Sequence, residues 1–107
     1  MTLQEEYLSD KHCLEIKSEK AIALVIIHLS DFEDFFNFIF DRKWKIQILD
    51  LEKYIQMVKF QPKHGNETPA VETRRFHKTT KIPVCLMFDD ESPFRASLDY
   101  FLYFHSN

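Results

Sequence analysis

Ala21-Ile22-Ala23-Leu24-Val25-Ile26-Ile27-His28-Leu29 is the stretch on which the fold turns, the longest apolar run of the chain, interrupted only at His28. A bilayer-spanning helix needs about 20 apolar residues, so this run belongs to a core. Its residues are hydrophobic on both faces, and period alone does not separate a buried helix from a buried strand. Val25-Ile26-Ile27 leans toward strand, because β-branched side chains suit a pleated surface. Ser18-Glu19-Lys20 ahead of it reads as a capped helix start followed by good helix formers. That start decides the expectation. Residues 18–29 are read as helix, with Cys13 to Ile16 leading into it.

The segments on either side are placed by the same signals. Ser30 or Asp31 is a suitable N-cap, with Glu33 and Asp34 where a helix N-terminus favours negative charge. Phe32, Phe35, Phe36 and Ile39 follow at helical spacing, with Phe38 and Phe40 off that stripe, and Arg42 and Lys43 suit the helix C-terminus. Lys45 to Leu49 alternates as a short strand. Asp50 caps a second helix through Leu51, Tyr54, Ile55 and Val58, which Pro62 ends. Residues at about 61–80 form a polar basic loop around Pro62, Gly65 and Pro69, with room for a short exposed strand at 71–77. Ile82 to Phe88 reads as a buried strand. Ser92-Pro93 opens a C-terminal helix whose inner face carries Leu98, Phe101, Leu102 and His105. Leu3 to Leu8 is a short first helix or a loose end. The sum is a single small α+β domain, 1–107, with more helix than strand and a C-terminal helix packed on a short sheet.

Composition narrows the function. The chain has 107 residues, a net charge of −3, 45% hydrophobic and 29% charged residues. That hydrophobic fraction is too high for a disordered chain. It holds a single glycine, which excludes the glycine-rich phosphate cradles that need several positions without a side chain. The N-terminus carries Glu5 and Glu6 and no basic-then-apolar signal pattern, so a cytoplasmic protein is expected. Cys13 and Cys85 are too few for a disulfide framework and are read as reduced core thiols.

No residue set reads as catalytic. His12, His28, His64, His77 and His105 have no partner at metal-ligand spacing, so neither metal nor cofactor is expected. Glu15-Ile16-Lys17 resembles the final motif of the restriction endonucleases, whose carboxylate holds a metal ion while the lysine steadies water. That family also places an aspartate on a preceding strand, and here only Asp10 precedes, with no room for one. Cys85 lies inside an apolar strand, where a thiol is inert. The chain is therefore read as no enzyme.

Charge and aromatics are concentrated. Residues 1–57 carry net −4, residues 58–81 net +4 and residues 82–107 net −3. The basic segment places Arg74, Arg75 and Lys78 around Phe76, a pattern that neutralises phosphates and stacks a base; nucleic-acid binding is the alternative reading. The stronger signal is Asp31 to Trp44, with five phenylalanines and one tryptophan among 14 residues. A helix has one inward stripe, so some of these rings should face outward. Rings anchor protein interfaces, and charges beside them steer and select. The expected contact residues are Asp31, Glu33, Asp34, Phe38, Phe40 and Trp44, with Asp89, Asp90 and Glu91 beyond the last strand.

In overall profile the chain is similar to bacterial immunity proteins and antitoxins, and to small phage-encoded inhibitors. The likeness covers the whole chain but carries no diagnostic motif, so no residue roles transfer. It implies an acidic protein that neutralises a basic toxin, a nuclease above all, by occupying its phosphate-binding surface.

Overall fold

Ser18 does not start a helix. Its backbone N–H donates to the Ala21 carbonyl at 3.0 Å, and its hydroxyl accepts from the Ala21 N–H at 3.1 Å. Ser18 to Ala21 thus reverses the chain between two strands, β1 (Lys11–Lys17) and β2 (Ile22–His28), paired antiparallel from Lys11↔His28 to Lys17↔Ile22. The expectation of a helix over 18–29 is corrected to a hairpin. Serine bonds nearby backbone in turns as readily as at helix caps, so the start signal was a turn signal.

The computed structural model describes residues 2–59, 72–88 and 92–105. The elements follow in the order α1 (Leu3–Leu8), β1, β2, α2 (Leu29–Asp41), β3 (Lys45–Leu49), α3 (Leu51–Lys59), β4 (Glu72–Phe76), β5 (Pro83–Phe88) and α4 (Ser92–His105). The strands form one five-stranded sheet in the order β3-β1-β2-β5-β4, antiparallel throughout. This is an α+β architecture in which helical residues outnumber strand residues, as the sequence predicts. The short strand for which the basic segment left room at 71–77 is β4, paired with β5 at one edge of the sheet.

Helices cover both faces, which explains why β2 is apolar at nearly every position. On one face, Leu14, Ile16, Ala23, Val25, Ile27 and Cys85 pack under Phe35 and Ile39 of α2 and Phe94, Leu98 and Phe101 of α4. On the other, Cys13, Leu24, Ile26, Leu49 and Leu86 meet Tyr54 of α3, with Tyr7 and Leu8 of α1 against them. An antiparallel strand with one wet face alternates; a strand at the centre of three layers does not. The C-terminal helix packs on the sheet through Phe94, Leu98 and Phe101.

Local chemistry sets the helix boundaries. Thr2 and Glu5 form a reciprocal capping box on α1. Asp50 caps α3 as expected, its Oδ1 accepting from the Lys53 N–H at 2.7 Å. The cap of α2 is His28, not Ser30 or Asp31, because β2 runs to His28 and the helix follows without a linker. Past α2, Lys43 sits at φ 59°, the left-handed position that glycine usually fills, and the chain turns there into β3.

Tyr54 and Cys13 make the α3 face sensitive to alkali. The Tyr54 hydroxyl donates to the Pro83 carbonyl at 2.7 Å, and burial pushes its phenol well above the ordinary tyrosine range. Burial, with the Asp50 charge adding to it, pushes the Cys13 thiol from 9.0 up to about 11. Both groups are native in their neutral forms. The folded chain keeps these protons to higher pH than the unfolded chain, so stability is full below pH 9 and falls as pH rises. Denaturant titrations from pH 7 to 11 should show a plateau and then a loss on the order of 1–2 kcal/mol from the thiol alone, solvent screening included.

Candidate functional site

The sequence of α2 holds more rings than one inward stripe can take, and the structure sorts them. Phe35 and Ile39 point into the core. Phe38 lies half-buried beside Phe101, with ring centroids 5.1 Å apart, and the Arg42 guanidinium covers it at 3.6 Å. Trp44 is half-buried edge-on against Phe94 of α4 at 4.7 Å. Both expected anchors are therefore held between α2 and α4. Their outward surface is small.

Phe40 is the ring that faces out, 70% exposed, and Phe36 one turn earlier is 41% exposed. The two stack with centroids 6.3 Å apart and planes at 20°. Leu29 lies seven residues before Phe36, on the same side of the helix, and is 45% exposed. Counting off helical turns places Glu33, Asn37 and Asp41 beside this stripe, with Asp34 beyond them, and all four are exposed. Asp31 is half-buried in the first turn, away from the stripe. The outer side of α2 is thus a short apolar ridge with carboxylates along one flank. Sequence reasoning named Phe40, Glu33 and Asp34 on this surface and passed over Phe36, Leu29 and Asp41. The miss has a simple cause. Phe36 obeys the helical spacing of the core stripe but sits at its margin, next to the buried Phe35 and Ile39 yet turned toward water.

Asp89, Asp90 and Glu91 lie outside the described residues; among the described residues, the expected acidic contacts are those on α2. The basic alternative lies elsewhere, at the far edge of the sheet. Phe76 ends edge strand β4 with its ring 53% exposed, and Lys78 follows in an exposed turn. Arg74 and Arg75 precede it on β4; their side chains lie outside the described residues. Glu15 and Lys17 lie on β1, a regular sheet strand, with Asp10 turned away toward His28. Among the described residues no three histidine, cysteine or acidic side chains come together as a metal site.

One polar constellation has no counterpart in the sequence reading. At the junction of β2 and α2, His28 Nε2 lies 2.9 Å from Asp10 Oδ2, and His28 Nδ1 lies 2.7 Å from Ser30 Oγ. The same Nδ1 accepts the Ser30 backbone N–H at 3.1 Å, the capping bond of α2. Asp10 is tied further by Lys11, whose ammonium is 2.8 Å from Oδ1 and holds the carboxyl below its ordinary range. The Asp10 carbonyl also accepts the Leu29 N–H at 2.8 Å. Only pairing β1 with β2 sets Asp10 against His28, 18 positions away, and a helix over 18–29 would have separated them. The one local hint was His-x-Ser directly after an apolar run.

No protein-family model matches this chain, and no curated protein or solved structure does either. Among the described residues, no helix is long and apolar enough to cross a membrane.

Proposed function

We propose that the chain is a stoichiometric binding protein of the cytoplasm, an immunity or antitoxin-type inhibitor, whose contact surface is the outer side of α2. The observation that carries this reading is the exposed Phe36–Phe40 stack lying beside Glu33 and Asp41. Exposed aromatic rings serve as buried anchors once a partner covers them, and an acidic flank selects a basic partner and steers its approach. A nuclease has to present positive charge to hold phosphates, so it offers the complementary surface.

Capture from the native host at low salt tests this. The tagged chain should retain a basic protein, and Glu33→Lys, Asp34→Lys and Asp41→Lys together should abolish the capture. With the purified partner, the association rate should fall steeply between 20 and 500 mM salt, as expected for exposed charges. Retention of no basic protein overturns the proposal. The exposed Phe76 on edge strand β4 favours the second reading, a nucleic-acid-binding or regulatory module. Co-eluting DNA or RNA, lost on reversing Arg74, Arg75 and Lys78, would establish it instead.

A further inference from the structure

We propose that the chain self-associates as a two-fold dimer through edge strand β3, the β3 strands of two copies pairing antiparallel into one continuous sheet. This goes beyond the binding role proposed for the outer side of α2 and is carried by a different feature, the backbone of the sheet edge.

The two edges of the sheet are not alike. β3 and β4 each have one neighbour, so each has an outer row of backbone groups that no strand among the described residues pairs with. Such edges invite further pairing, and charged residues, proline or register irregularities guard against it. β4 reads Glu72-Thr73-Arg74-Arg75-Phe76 and shifts register against β5 at Thr73/Arg75 and again at Arg75/Phe76. β3 reads Lys45-Ile46-Gln47-Ile48-Leu49, pairs with β1 in unbroken register, and is uncharged after its first residue. One edge is guarded, and the other is open.

The phase of the ladder fixes which groups point outward. The Ser18 N–H donates to the Ala21 carbonyl, and the Leu29 N–H donates to the Asp10 carbonyl at the other end of the same strand pair. Hydrogen-bonded pairs alternate with non-bonded ones along an antiparallel ladder. His12, Leu14 and Ile16 therefore bond toward β2, while Cys13, Glu15 and Lys17 bond toward β3. Their partners Leu49, Gln47 and Lys45 bond back to β1. The N–H and C=O groups of Ile46 and Ile48 are left facing out. Their side chains share the α2 face with Leu14 and Ile16, their cross-strand partners, and Ile48 is 53% exposed. α2 contacts β3 as well as β1. Its Phe32–Phe36 row lies on the flank away from α4, with Phe32 against His12 of β1 at 4.8 Å. Half-exposed Phe36 thus continues the apolar surface above the open edge.

A second copy of the same strand fits this row. With Gln47 on the two-fold axis, Ile46 of one copy lies opposite Ile48 of the other, and both such pairs fall in the bonded phase. The isoleucines then pack as cross-strand pairs on the α2 face. Charge selects the same direction. Lys43 and Lys45 are exposed at the start of β3; Asp50 and Glu52 are exposed just past its end, which stays net negative despite Lys53. Two-fold pairing sets each basic end beside the acidic end of the other copy. It also offsets the repulsion of Lys45 by Lys17, directly opposite on β1.

Sedimentation of the purified chain from micromolar to submillimolar concentration tests the proposal. A species of twice the 12.9 kDa chain mass should appear as concentration rises. Ile48→Lys should raise the dissociation constant about 30-fold or more, as loss of a central contact does. Ile48→Pro deletes only an outward N–H and leaves the bonds to β1, so it should give a folded monomer. Residue-resolved hydrogen exchange on the unmodified chain keeps the test open if a variant fails to fold. The Ile46 and Ile48 amides should gain protection with concentration, whereas the Gln47 amide should be protected throughout. A single-chain mass at every concentration overturns the proposal. So does a dimer whose Ile46 and Ile48 amides stay unprotected, a dimer indifferent to Ile48→Lys, or growth beyond two copies. Phe36 belongs to both proposed contacts, but self-association is measured without a partner, so its failure leaves the binding role standing.

Discussion

Aspartate at any single position from 23 to 27 should unfold the chain. Ala23, Leu24 and Val25 are fully enclosed, and Ile26 and Ile27 nearly so, although successive side chains point to opposite faces of the sheet. An unpaired carboxylate in such a site costs several kcal/mol, comparable with the roughly 5–15 kcal/mol that holds a domain of this size together. The pattern of failure is as informative as its size. A helix buried on one side would tolerate the charge at one or two of the five positions, whereas a strand between two helical layers tolerates it at none. Circular dichroism and denaturant titration of the five variants check this. A stable, cooperatively unfolding variant at any one of them would contradict the three-layer arrangement. Lys17→Asp, exposed beside the hairpin turn, is the control and should change stability by no more than about 0.5 kcal/mol.

These five residues also show where sequence reading reaches its limit. Their burial was legible from composition and from the length of the run; their conformation was not. Periodicity reports how many faces are wet, and β2 has no wet face, so the signal that separates strand from helix was absent. The deciding information lay in Ser18, whose hydroxyl closes a turn in this chain and would cap a helix in another. Elements with one wet face were legible: α3 between Asp50 and Lys59, and strand β3 at the sheet edge. β5 was bounded by its polar neighbours.

The site follows the same division. Exposure of Phe40 and of the acids on α2 could be read from helical spacing, since these are local properties of one element. Assigning Phe38 and Trp44 required knowing that α4 packs beside α2, a contact between segments more than 50 positions apart in sequence. The Asp10–His28–Ser30 set was invisible for a related reason. The Asp10–His28 distance depends on strand pairing, and the pairing depends on the turn that was misread.

The two stacked rings of α2 should behave oppositely to their buried neighbour. Phe35→Ala removes a ring that is fully enclosed and sits edge-on to Phe101 at 4.7 Å, and should cost about 3–5 kcal/mol of folding stability. Phe40→Ala, one turn and one residue further along, removes a ring that is mostly in water, so stability should move by about 0.5 kcal/mol or less. Binding reverses the order. If the outer side of α2 is the contact, Phe36→Ala and Phe40→Ala should each lower partner affinity by about 2 kcal/mol, roughly 30-fold, the loss typical of an aromatic anchor. Because the rings stack on each other, the double variant should fall short of the product of the single effects, by the coupling that contacting residues show. The loss should appear as faster dissociation, since the rings act after encounter. Reversal of Glu33, Asp34 and Asp41 should instead slow association, because long-range charge acts before it. A partner bound equally well by the Phe36→Ala/Phe40→Ala chain would remove α2 from the interface. The two rate constants, measured on one set of variants, therefore test the apolar ridge and its acidic flank separately.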